Sequence, residues 1–154
     1  MVGAYRMTRK LPLDLGAVFM FVGALFHVAC LFGGADWLAF AGAPAELVES
    51  YRQGEISPII WTLLIALLLA IWGFYAVSGN QRIRRLPLLK TALALIALLM
   101  IVRGAIGMAL LVIMDWPWGT TMGQFHAVIS VMIFGVGLFY AYGVFQVRMR
   151  DKTG

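Results

Sequence analysis

The chain has 154 residues, 62% of them hydrophobic and only 12% charged, with a mean hydropathy of +0.91. A soluble domain of this size carries about a quarter charged residues because its surface faces water, so a soluble enzyme, a nucleic-acid-binding domain and a disordered chain all fit poorly. The net charge is +5 and the single cysteine, Cys30, leaves no intrachain disulfide and no Cys-rich metal site.

What remains is an integral membrane protein. A helix needs about 20 apolar residues to cross a hydrocarbon core of about 30 Å, and four stretches qualify. The first spans residues 14–32, after a basic arm of Arg6, Arg9 and Lys10. Its apolar run is longer than the ~7–15 residues of a signal-peptide core, so it is read as a retained helix. His27 shares a stripe there with Gly16, Met20, Gly23, Cys30 and Gly34. The stretch 33–57 follows as the one substantial loop. Within it, Pro44 and AELVESYRQ predict a short interfacial helix with Leu47, Val48 and Tyr51 on one side. Trp37, Leu38 and Phe40 are apolar enough to lie in the interface.

The second span covers residues 58–78, with Thr62, Ala66, Ala70 and Gly73 as its small-residue stripe. The sequence SGNQRIRRLP then stops the helix and makes a basic turn. The third span covers 91–114 and contains Arg103 beside Gly104 and Gly107. A tight aromatic connection, Asp115-Trp116-Pro117-Trp118-Gly119, leads to the fourth span, 122–147, where His126 shares a face with Ser130, Gly137 and Ala141. Tyr140, Tyr142, Trp72 and Tyr75 are expected in an inner aromatic belt. None of the four spans alternates as a strand does, and backbone groups in lipid must pair within their own segment, so all four are helices.

Orientation follows from the basic residues of short loops. The arm, the turn (Arg82, Arg84, Arg85, Lys90) and the tail (Arg148, Arg150, Lys152) hold ten of the twelve Lys and Arg. The opposite loops hold Arg52 together with Asp36, Glu46, Glu49, Glu55 and Asp115. The expected protein is therefore all-α, a single four-helix transmembrane bundle over residues 1–154, with both termini in the cytoplasm. The basic excess serves topology and contact with anionic lipid, and no nucleic-acid partner is implied.

Ionisable groups inside a span are costly and so are candidates for function. At about 1.5 Å per residue, His27 lies roughly 9 Å and His126 roughly 7 Å inside the outer boundary, and Arg103 near 16 Å, close to the midplane. Small residues beside each predict that all three, with Gln124, turn inward where helices approach closely. Asp36 or Asp115, at the outer rim, is the expected counter-charge for Arg103. The cluster is then either a structural ion pair or a pocket for an anionic or polar ligand such as a quinone or lipid head group. His27 and His126 could also be the two axial ligands of a haem. Zinc needs three or four ligands, which His27, His126 and Asp36 barely supply, so no metal site is expected. No nucleophile motif points to a hydrolase.

Helix 1, the outer segment Phe40-Ala41-Gly42-Ala43-Pro44 and the short basic turn after helix 2 resemble the DoxX-like group of small bacterial four-helix membrane proteins. The likeness covers about the first two thirds of the chain. It implies a four-span fold and links to quinone-coupled redox or membrane stress. It carries over no functional residue, since neither histidine nor Arg103 falls on a motif of the group. Small loops leave little room for a catalytic apparatus. The leading expectation is an accessory or structural subunit of a homo-oligomer or of a larger membrane complex, and the alternative is a binding or redox protein with an outward-facing pocket at His27, Arg103 and His126.

Overall fold

A computed structural model describes residues 11–152, so the basic arm of Arg6, Arg9 and Lys10 lies outside the described residues. The helices are α1 (Val2–Gly33), α2 (Ala35–Phe40), α3 (Ala45–Arg52), α4 (Ser57–Gly79), α5 (Leu89–Ile113) and α6 (Thr121–Thr153), and no strand occurs among the described residues. Four of them, over Leu11–Gly33, Ser57–Gly79, Leu89–Ile113 and Thr121–Lys152, are long and apolar enough to cross a membrane. The fold is all-α and four-span.

Two departures from expectation are local. The connection between α1 and α4 holds two short helices rather than one. Gly34, at φ +80°, breaks α1 in a conformation that favours glycine, and the chain re-enters a helix at once as α2. The helix α6 also runs past Val147, because Arg148 to Lys152 contain no breaker and basic side chains suit a helix C-terminus.

The chain divides into two compact units, one of residues 1–19 with 72–154 and the other of residues 20–71. In the first, α5 and α6 pack antiparallel through glycines. Gly104 lies against the backbone of Phe134, Gly107 against Ser130, and Gly137 against Ile101 and Met100. Without side chains at these points the two backbones approach closely, which is how membrane helices gain dispersion contact when lipid removes any hydrophobic drive. The N-terminal part of α1, from Leu11 to Phe19, joins them. Leu13, 1% exposed, fills the space above Gly79 and Gly143, and Gly16 lies under the ring of Tyr140.

Tyr140 therefore does not belong to an aromatic belt. It is fully buried and donates to the carbonyl of Trp72 at 2.8 Å, because Gly16 leaves room for its ring. Tyr142, in contrast, is exposed.

The basic end of this unit is clasped by charge. Asp14 accepts two hydrogen bonds from Arg82, at 2.6 and 2.8 Å, and one from Asn80 at 2.8 Å. Those bonds and the carboxylate charge hold the Arg82 guanidinium above its ordinary pKa. Asp151 on α6 pairs with Arg85 at 2.8 Å and Lys90 at 2.6 Å. Arg150 donates to the carbonyl of Gly79, and the Ser78 hydroxyl ties the turn by donating to the Arg84 carbonyl and accepting from the Leu86 amide. The turn after α4 is thus more than a helix stop: it is the point where α1, α4, α5 and α6 are bound together.

In the second unit, α2 and α3 fold back on the C-terminal end of α1. Cys30, Leu38 and Val48 form a small buried core, with Phe26, Ala39 and Tyr51 around it. Leu38 is accordingly buried rather than interfacial, whereas Trp37 remains about half exposed. Pro44 is the N-cap of α3, and the Tyr51 hydroxyl donates to the Leu31 carbonyl at 2.9 Å. Along α4, Thr62 and Ala66 are buried, while Leu64, Leu67 and Leu68 are exposed and suited to lipid.

Candidate functional site

The ionisable in-span residues of the first unit, Arg103 and His126, lie on the two helices of the α5–α6 pair. The register set by Gly104–Phe134, Gly107–Ser130 and Gly137–Ile101 places His126 opposite residues 111 and 112. That is two helical turns, about 12 Å along the axis, from the level of the Arg103 backbone.

The Arg103 side chain shortens this gap. Its Nη1 comes within 3.4 Å of the point where a Cβ on Gly107 would stand, so the guanidinium leans one turn toward the C-terminal end of α5. Ser130 occupies the other side of the same notch and donates to the His126 carbonyl at 2.8 Å. The His126 ring is half-buried and stands edge-on to Phe125, their centroids 5.6 Å apart. Ser130, Arg103 and His126 thus lie along the half of this apolar helix pair nearest the C-terminus of α5 and the N-terminus of α6, with Gly107 between them.

Arg103 does not turn inward as expected. Its residue is exposed, and no ion pair to it occurs among the described residues. The buried stripe of α5 runs through Leu93, Ile96, Ala97, Gly104 and Gly107. Arg103 sits at the edge of that stripe, and a side chain too long for the glycine seam is displaced onto its rim.

The expected counter-charges are elsewhere. Asp36 pairs with Arg52 at 3.3 Å, both of them exposed, and Asp115 is exposed without an ion pair among the described residues. Gln124 is exposed as well. It donates to the Trp118 carbonyl at 3.1 Å and, with Trp116 donating to the Gly123 carbonyl at 2.9 Å, closes the aromatic turn. Ala141 faces outward, unlike Ser130 and Gly137 on its predicted face.

In the second unit, His27 is half-buried and its Nδ1 lies 2.7 Å from the Gly23 carbonyl. That contact places the proton on Nδ1 and leaves Nε2 as the acceptor in the neutral ring. No group of three His, Cys, Asp or Glu that could hold a metal occurs among the described residues.

Asp14 and Asp151 are the site residues that the sequence reading passed over. The signal was present: five of the seven acids fall in the outer loops, so the other two stand among the basic residues of the opposite end. No protein-family model, curated protein or solved structure matches the chain.

Proposed function

We propose that this small multi-pass membrane protein acts as an accessory subunit, docking onto a larger membrane complex through the α5 face that carries Arg103. The carrying observation is an exposed arginine near the middle of a span, with no ion pair among the described residues. At that depth an arginine costs about 2.5–3.5 kcal/mol on an insertion scale, and a carboxylate or other anionic partner would offset it. No carboxylate of the chain lies in the middle of a span. Its sequence has no Asp or Glu between Asp14 and Asp36, between Glu55 and Asp115, or between Asp115 and Asp151. The partner group therefore comes from another molecule. Basic residues at the ends of α4, α5 and α6 support an orientation with that end in the cytoplasm, and the inner membrane of a bacterium is the proposed location.

A second reading is favoured by the lean of Arg103 toward Ser130. This stretch of the helix pair could take a polar head group, a quinone carbonyl or another anionic ligand, in keeping with the resemblance to the DoxX-like proteins.

A photo-crosslinker at Val102 or Ile106, flanking Arg103, tests the docking reading in native membranes. A discrete adduct with another membrane protein is expected, lost in Arg103→Leu and partly kept in Arg103→Lys. Adducts with lipid alone, or an adduct unchanged by Arg103→Leu, would sink it. Loss of a bound small molecule in Arg103→Leu, without any protein adduct in the wild type, would favour the ligand reading.

A further inference from the structure

The Arg103 side chain runs against the grain of its helix. A Cα–Cβ bond on a helix tilts toward the N-terminus, yet the Arg103 guanidinium lies over Gly107, one turn nearer the C-terminus of α5. The missing side chain of Gly107 makes that course possible. The 25 residues of α5 rise about 37 Å. With the helix centred on a hydrocarbon core of about 30 Å, the level of Gly107 is about 6 Å inside that core. A lipid phosphate lies beyond the boundary, among the head groups. The anion that meets Arg103 at this level is one that another chain carries into the core, and within a span that means the carboxylate of an Asp or Glu.

The surface beside Arg103 gives the shape of the carrier. Leu95, Leu99, Val102, Ile106 and Ile113 are each about half exposed or more. Their spacings of four, three, four and seven keep them on one side of α5. They form a ridge about 27 Å long, with Arg103 at its edge. Spacing by threes and fours lets a second helix pack alongside at a shallow angle. An amphipathic helix lying flat at the interface would cover only one end of this ridge, and an irregular segment would bring unpaired backbone groups into lipid. The opposite exposed side of α5, with Leu98, Ala105 and Ala109, carries no polar group and suits lipid.

Resting on the docking reading above, we propose that the occupant of this face is a transmembrane helix of a different protein. It packs along the ridge from Leu95 to Ile113 and carries an Asp or Glu at the level of Gly107, where its carboxylate accepts hydrogen bonds from the Arg103 guanidinium.

Photo-crosslinkers placed singly at Leu99, Ala105, Ile106 and Ala109 of the full chain in native membranes test this, with the captured peptide identified by mass spectrometry. Leu99 and Ile106 are expected to capture one membrane-embedded segment of another protein, and Ala105 and Ala109 to capture lipid. The residue captured from Ile106 should lie within one helical turn of an Asp or Glu, and the residue captured from Leu99 about two turns from it. Arg103→Gln should lower the Ile106 adduct about tenfold, and Arg103→Glu should recover it when the partner's carboxylate is replaced by Arg. The positions of the adducts need no substitution at Arg103, so they test the proposal even where a variant at that residue fails to fold.

Capture of a segment with no Asp or Glu within one turn of the Ile106 adduct, or of one outside the membrane, would overturn the acidic helix and leave docking at this face standing. Equal capture of that segment from Ala105 and Ile106 would overturn the ridge. Failure of the exchanged charges to recover the adduct would overturn the pairing. Lipid alone at all four positions would overturn the docking reading itself.

Discussion

The glycine seam between α5 and α6 makes the sharpest prediction about stability. A Cβ added at Gly104 would stand 2.6 Å from the Phe134 amide nitrogen and 2.7 Å from both its Cα and Cβ. Optimal carbon contacts are about 3.5–4.0 Å, so the shortfall is roughly 1 Å and falls mainly on backbone, which cannot turn aside as a side chain can. The helices must separate, and every contact along the seam weakens together. Gly104→Ala should therefore destabilise the protein by about 1–3 kcal/mol, the usual penalty of an overpacked site. Gly135, on the same helix as Phe134, has nothing within 4 Å of its added Cβ. Gly135→Ala should be neutral, or stabilising by up to about 1 kcal/mol from helix propensity. Gly137 lies in the seam, 2.8 Å from the Ile101 amide nitrogen in the same construction. Once Gly104→Ala has parted the helices, Gly137→Ala should cost less than it does alone, with a coupling of about 0.5–3 kcal/mol. Unfolding in mixed micelles of dodecyl maltoside and dodecyl sulfate, followed by circular dichroism, reads the wild type, the three single variants and the Gly104–Gly137 double variant. Equal stability of Gly104→Ala and Gly135→Ala would refute the α5–α6 seam, and strict additivity of the pair would refute the shared displacement.

Two further outcomes follow from the buried contacts. Cys30 is 1% exposed beneath Leu38 and Val48, so a maleimide should label it slowly in the folded protein. Leu38→Ala should speed labelling about tenfold for each 1.4 kcal/mol lost from the α2–α3 cap, and an unchanged rate would mean that the cap does not shield the thiol. Tyr140→Phe removes the bond to the Trp72 carbonyl and should cost about 0.5–1.5 kcal/mol in the same micelle assay. Gly16→Val should cost more, because its first added carbon already comes within 2.9 Å of the buried ring.

The spans were legible because lipid demands long apolar runs, and length together with hydropathy located them. The glycines of the seam were legible too, since Gly104, Gly107 and Gly137 could be read as a close-approach face before any partner was known. The six residues of α2 were not, because Ala35–Phe40 is too short to show a period, and the end of α6 was missed because the apolar pattern stops before helix propensity does. Tyr140 was misplaced for a different reason. Its ring fits under Gly16, a position on another helix, and a pairing of that sequence separation leaves no local pattern. Arg103 shows the limit of periodicity most plainly. Spacing assigns a direction to its Cα, but beside a glycine seam a long side chain takes whatever surface is left open, here the rim above Gly107.

That displacement bears on the kind of assembly the chain can enter. Each ion pair among the described residues lies at or beyond a span end: Asp14 with Arg82, Asp151 with Arg85 and Lys90, and Arg52 with Asp36 and Glu49. At those ends water and lipid head groups can share the charge, and the pairs are local. Arg103 lies in the apolar part of α5, where neither is at hand without a long reach. A symmetric dimer formed through this face would bring Arg103 toward the Arg103 of its copy, because a two-fold interface places the same patch on both sides. Two guanidinium groups facing each other in a medium of low dielectric repel strongly, and no span of this sequence carries a carboxylate near its middle to separate them. Self-association centred on Arg103 is therefore disfavoured by its charge, in keeping with the proposed docking onto a different, acid-bearing partner. Any homo-oligomer of this chain should form through a face that leaves Arg103 free.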